Sequence, residues 1–371
     1  MSATTTSDAT PSPAPARPGT PGRPGTGGRL RLPAVHAVLL LALVGALLLA
    51  VSVGSVAVPV GDVWTVVGHH VRGLFTDPGP VPDESLDAIV WTFRVPRALL
   101  AAVVGAGLAV AGTALQAVVR NPLADPYVLG VVNGASFGAV LAITAGTAAL
   151  GKTAVSGAAF VGGLASMLVV LVFGRRGGRV SPVRLVLAGV AVGYVFSAAT
   201  SYLELRMSDG NSLAGVLFWL LGTVAAAAWS DLGVPSLVVL LSCGWLLLQA
   251  RPLNALLAGD DAAVALGVSV SRFRLQLVVV ASLLTGAVVA VAGGVGFVGL
   301  MVPHVARMLV GADHRRMLPV SVLLGAVFLT LADIAARTLA RPLELPLSVV
   351  TAAIGGPFFL WLMTRGERGV G

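Results

Sequence analysis

Apolar stretches, most of them long enough to cross a bilayer core of roughly 20 residues, recur at about 35–57, 98–119, 127–148, 154–173, 185–204, 232–250, 275–293, 297–311, 318–337 and 346–364. Charged or Gly/Pro-rich breaks separate them. The pattern predicts an all-α polytopic membrane protein of about ten transmembrane helices, several of them broken or short. The eighth stretch is short for a full crossing and is expected as a broken or re-entrant helix.

One break is unusually polar. RNPLADPYVLGVVNGASFG, residues 120–138, places an arginine, two asparagines, an aspartate and two prolines between the second and third spans. Pro122 and Pro126 withdraw backbone donors and push Asn121 and Asp125 away from helical dihedrals, so the helix must stop there. Gly130, Gly134 and Gly138 follow four residues apart and present a smooth face on which a second helix can pack closely.

Composition fits this picture: the 371 residues are 56% hydrophobic and 11% charged, with a mean hydropathy of +0.93. The Pro-, Gly- and Thr-rich opening is too poor in apolar residues to offset the entropy of ordering it. Residues 1–33 are therefore expected to be a disordered cytoplasmic tail, 34–366 the transmembrane domain and 367–371 a short cytoplasmic tail. A cleaved secretory signal is disfavoured because the first apolar run is about twice the roughly 7–15 residues such a signal carries. The single cysteine, Cys243, excludes an internal disulfide and reads as a packing residue. The net charge of +8 speaks to topology rather than to nucleic acid. With both termini in the cytoplasm, most of the 24 basic residues fall on the inner side, and the acidic loop TDPGPVPDESLD (76–87) falls outside.

Candidate chemistry is sparse. GTAALGKT (146–153) satisfies the phosphate-loop pattern, but it joins two spans on the expected outer face and lacks the strand and soluble core such a loop requires. GVGFVG (294–299) fits a dinucleotide pattern with no parallel sheet to carry it. Asp333 lies toward the outer end of the ninth span, where Arg337 one turn on can pair with it structurally. The histidines form no metal clamp and no nucleophile has an evident base, so neither catalytic residues nor a metal site is expected. A secondary, ion-coupled transporter is the main alternative and would call for a midplane carboxylate. An intramembrane enzyme would need a convergent nucleophile or metal cluster.

The longest inner segment, ARPLNALLAGDDAAVALGVSVSRFRL (250–275), is more than linker. Asp260 can cap a short helix running through Ala263 and Leu266 to Gly267, with a small, partly apolar surface suited to docking on a soluble partner. A helix lying on the lipid surface is the other reading.

Three long signatures then point to a family. RVPRALLAAVVGAGLAVAGTALQAVVRNPLADPYVLGVVNGASFGA (94–139), GFVGLMVPHVARMLVGADHRRMLPVSVLLGAVFLTLADIAAR (296–337) and ELPLSVVTAAIGGPFFLWLM (344–363) closely resemble the FecCD-type permease subunits of ABC importers for iron-siderophores, haem and cobalamin. The resemblance implies a multi-pass protein of the bacterial cytoplasmic membrane that pairs with a second permease subunit, as a homodimer or heterodimer. Two cytoplasmic ATPase subunits would consume the ATP, an external binding protein or lipoprotein would deliver the cargo, and the chain itself would bind no cofactor. It further implies an ATPase-coupling segment at about 253–272, with Leu256, Gly259, Asp260, Ala263, Leu266 and Gly267, and binding-protein docking at Arg94, Arg97 and Arg337. Snorkelling anchors at the lipid interface are the alternative reading of those arginines. Asn121, Pro122, Asp125, Pro126, Gly130 and Gly134 would belong to the core that shapes gate and path. The expected cargo is a metal chelate, in the first place an Fe(III)-siderophore.

Overall fold

A computed structural model describes residues 31–54, 58–73, 75–77, 79, 81, 83–147, 151–177, 179–208 and 210–366. Most of the expected N-terminal tail and all of the C-terminal one therefore lie outside the described residues. The helices are α1 (Arg31–Ser52), α2 (Val60–Gly73), α3 (Glu84–Asp87), α4 (Val95–Val119), α5 (Val131–Thr144), α6 (Lys152–Gly174), α7 (Pro182–Leu205) and α8 (Gly210–Leu220). They continue as α9 (Gly233–Leu248), α10 (Ala250–Leu257), α11 (Asp260–Ala265), α12 (Val270–Ala292), α13 (Val298–Val310), α14 (His314–Thr338) and α15 (Leu347–Gly366). A two-residue antiparallel pair, β1 (Arg175–Arg176) with β2 (Arg179–Val180), closes the turn between α6 and α7.

Eight helical stretches are long and apolar enough to cross a membrane, and the other two expected spans are the shorter apolar helices α5 and α13. The eighth expected span is α13, only 13 residues long, which agrees with its reading as a broken helix. The third is shorter than its apolar run. A 3-10 turn over Pro126–Leu129 comes first, and Gly130 at φ +70° separates it from α5. The second is longer than expected, because α3, a π-helical segment (Ala88–Arg94) and α4 form one 36-residue stretch. The wide ladder of the π segment ends at Val95, whose N–H reaches Val90 O, immediately before Pro96 withdraws its own donor. α1 begins at Arg31, inside the stretch expected to be tail.

Contacts between loops define two ends. Arg120 reaches Asp260, Val180 N–H reaches Ser271, and Asn254 holds Asp313, which gathers the breaks near 120, 180, 250–274 and 313 at one arginine-rich end. At the opposite end Arg94 reaches Ser52, Trp229 Nε1 reaches Trp91 O, and Lys152 reaches Ala226 O. The first described helix starts at the arginine-rich end, where Leu39 packs with Ala306 and Met317.

α4 is the centre of the molecule, buried along nearly its whole length among α12, α13 and α14. Its small residues permit this. A Cβ on Gly105 would strike the backbone of Gly325 in α14, and one on Gly112 would strike the backbone of Gly299 in α13. Where no hydrophobic force drives helices together, such close backbone approach supplies the packing. The glycine face foreseen after the polar break is used the same way. Gly134 and Gly138 lie on Gly162 and Ala158 of α6, and Gly130 lies on Gly189 of α7.

Candidate functional site

Three polar regions interrupt this apolar framework, one at each end and one between. At the end opposite the arginine-rich one, Arg97 sits in the first turn of α4 and faces two carboxylates. Its Nε and Nη2 donate to Asp333 of α14 at 2.9–3.2 Å, and its Nη1 and Nη2 donate to Glu344 at 3.0–3.1 Å. Such doubly bidentate pairing fixes both position and orientation. Arg337 Nη2 donates to Ala50 O and its Nε lies 3.4 Å from Asp333 Oδ2, so the expected pairing one turn apart is present. Arg94 donates to Val51 O and Ser52 O. The three arginines and Glu344 line a cavity of about 270 Å³ together with Gly54, Ile89, Phe93 and Ala225. Asp333 is 1% exposed and Glu344 30%.

The structure thus brings Arg94, Arg97 and Arg337, the arginines expected at a binding-protein contact, together around one cavity at this end. Arg94 and Arg337 are buried, the Arg97 side chain keeps 11% of its surface exposed, and each bonds groups of this chain. A guanidinium covered by neighbouring helices must find acceptors inside the protein, here backbone carbonyls for Arg94 and Arg337 and carboxylates for Arg97.

The second region is a junction of broken helices. α12 stops at Gly293 (φ +68°), and α13 starts after Phe297, itself in the left-handed region at φ +67°. The loose backbone ends are satisfied by other breaks: Thr223 N–H donates to Ala292 O, Ser348 Oγ donates to Gly294 O, and Gly296 N–H donates to Ser348 Oγ. Leu347 and Ser348 N–H donate to Gly222 O and Leu221 O. Irregular backbone at this depth survives only when protein groups replace the missing water.

From the break at 120–130, Pro126 packs on Gly299 and Tyr127 reaches toward Gly294, so these two residues connect the two short helices. Asp125 caps the 3-10 turn by accepting from Tyr127 N–H at 2.8 Å. Gly130 O accepts from Ser166 Oγ, and Gly134 lies against Gly162. Asn121 and Pro122 lie apart from this junction. They form an exposed turn at the arginine-rich end, where Asn121 Oδ1 accepts from Leu123 N–H, because α4 already stops at Val119.

The third region is the segment 250–267, which folds as two short helices, α10 and α11. Gly259 (φ +116°) precedes α11, and the expected cap by Asp260 is absent. Its carboxylate is drawn instead to Arg274 of α12, which donates to both oxygens at 2.8 and 2.9 Å, and to Arg120 at 3.4 Å. Leu256 and Ala263, both expected in the coupling segment, are fully buried and hold the pair onto the body. The apolar groups that do face outward are Leu257, Val264 at 62% and Leu266 at 72% exposure, next to the exposed turn at Gly267 (φ +82°). Beside this platform Asn254 Nδ2 donates to Asp313 Oδ1 at 2.7 Å, a bond that holds the Asp313 carboxyl below its usual range.

Sequence reasoning passed over Gln116, the buried residue that joins α4 to α13. It donates to Gly299 O and Leu300 O at 3.3–3.4 Å and accepts from Arg307 Nη2 at 3.0 Å. A lone glutamine in an apolar helix was the available signal. Residues 148–150 of GTAALGKT lie outside the described residues. The Lys152 ammonium is held by Asp231 and Ala226 O at the end opposite α10 and α11.

The chain matches the FecCD transport family over residues 40–365. It is 44% identical to the cobalamin import system permease protein BtuC of Halobacterium salinarum, over 76% of this chain and 75% of that protein. It is 37% identical to the iron(3+)-hydroxamate import system permease protein FhuB of Bacillus subtilis, over 87% of this chain and 80% of that one. Among solved structures, an inward-facing ABC transporter described as of metal-chelate type superposes with a TM-score of 0.77 at 32% identity, covering 90% of this chain and 99% of that one. The chain belongs to the FecCD transport family, as a permease subunit of an ABC importer rather than an enzyme.

Proposed function

We propose that the chain forms half of the path by which a bulky metal chelate, in the first place an Fe(III)-siderophore, crosses the bacterial cytoplasmic membrane. A second permease subunit completes the path, and a binding protein or lipoprotein delivers the chelate on the outer side. Two ATPase subunits drive transport from the cytoplasmic side, which is the arginine-rich end by the positive-inside bias. The relatives that import cobalamin and Fe(III)-hydroxamate, both large metal chelates, support the cargo class.

The observation that carries the reading is the α10–α11 platform. Leu256 and Ala263 anchor it inward, while Leu257, Val264 and Leu266 leave an apolar edge facing away from the body. A short helix presenting such an edge suits a groove on a soluble partner. Replacing both Val264 and Leu266 with glutamate should leave insertion intact and reduce copurification with the ATPase at least about tenfold, since two desolvated charges exceed the roughly 1.4 kcal/mol this requires. Undiminished association in the double variant would instead place the edge against lipid headgroups.

A further inference from the structure

We propose that Arg120 is a positioning residue that passes movement of the α10–α11 platform into α4 and from there into both short helices, α5 and α13. The inference rests on the ATPase-coupling reading of the platform.

Arg120 is the first residue beyond α4 and holds a left-handed conformation, φ +54°, uncommon for a side chain of its size. Its own N–H and that of Asn121 both close on Gln116 O, so its side chain departs from a well-fixed helix end. From there the guanidinium reaches Asp260, the first residue of α11, 140 positions away in sequence.

The two arginines on that carboxylate are unequal. Arg274, 6% exposed, takes both oxygens at 2.8 and 2.9 Å and fixes α11 on α12. The Arg120 contact is a single bond of 3.4 Å between side chains that are each 43% exposed. A solvent-exposed pair of this kind contributes little to stability and exchanges readily. It is suited to following the position of α11 rather than to holding the fold. Gly259 adds to this: a side chain there would lie against Arg120 Nη2.

What Arg120 can transmit follows from its neighbours along the chain. One turn earlier, Gln116 grips the carbonyls of Gly299 and Leu300 and the guanidinium of Arg307, all in α13. Immediately after it, the turn 121–125 leads into Pro126 and Tyr127 and then α5. A shift of the last turn of α4 therefore bears on both interrupted helices at once, through contiguous contacts.

The test uses the complete importer in proteoliposomes, permease with ATPase subunits and binding protein. ATP hydrolysed is measured per molecule of whichever radiolabelled probe the unaltered complex imports among Fe(III)-hydroxamate, haemin and cobalamin. Arg120→Gln should keep its melting temperature and ATPase copurification, while ATP consumed per molecule imported rises at least about fivefold. Arg120→Lys, which keeps the charge and the reach, should recover half or more of that loss. An unchanged ratio in Arg120→Gln overturns the inference and leaves the coupling reading standing. Parallel loss of melting temperature and ATPase association in the Gln and Lys variants alike also overturns it, by making the residue a support for the fold. Failure of the unaltered permease to associate with the ATPase removes the coupling reading and this inference with it.

Discussion

Replacing Arg97 with methionine is expected to lower the stability of the purified permease by about 3 kcal/mol, with no binding protein present. The substitution leaves Asp333, 1% exposed, with only the 3.4 Å contact from Arg337, and strips Glu344 of both its bonds from Arg97. A buried carboxylate deprived of its main partner is among the more damaging changes a helical core can suffer. The double variant Arg97→Met with Asp333→Leu should regain part of the loss, because it removes both charges rather than stranding one. Thermal unfolding of the four proteins in detergent gives the comparison. A single variant as stable as the parent but defective in docking would make Arg97 an external contact and not a support for the fold.

Gly112→Leu should be the more severe change. Its Cβ would enter the backbone of Gly299, and backbone, unlike the end of a flexible side chain, has nowhere to rotate. Overpacking ordinarily costs about 1–3 kcal/mol. Here relief requires parting α4 from α13, which would also break the Gln116 bonds to Gly299 and Leu300. The variant is expected to yield almost no folded permease in the membrane. Gly157→Leu is the matched control, since nothing lies within 4 Å of that position, and it should accumulate normally. Equal yields of the two would mean that the close approach of α4 to α13 is not needed for assembly.

The spans were legible because an apolar stretch of sufficient length has few other places to go. The polar break at 120–126 was legible because proline acts on its own neighbourhood whatever packs around it. The short helices α2, α3 and α8 were not, for they lack the length that marks a crossing. α2 depends on distant partners, as when His70 stacks on Trp91 with ring centroids 4.1 Å apart. Asp260 shows the limit most clearly. Its sequence context favours an N-cap, and only the fold brings Arg274 and Arg120 close enough to take the carboxylate instead. Likewise Arg97 and Glu344 are 247 residues apart, so nothing local announces their pairing.

Whether transport is driven by a separate ATPase is the central claim, and reconstitution measures it directly. The permease, with ATPase subunits and binding protein, is sealed into proteoliposomes and given labelled Fe(III)-hydroxamate, with haemin and cobalamin as parallel cargoes. Uptake should require ATP and the ATPase subunits together, and should vanish when either is omitted even if a proton or sodium gradient is imposed. Uptake by the permease alone, driven by such a gradient, would contradict the account and make the chain a secondary transporter.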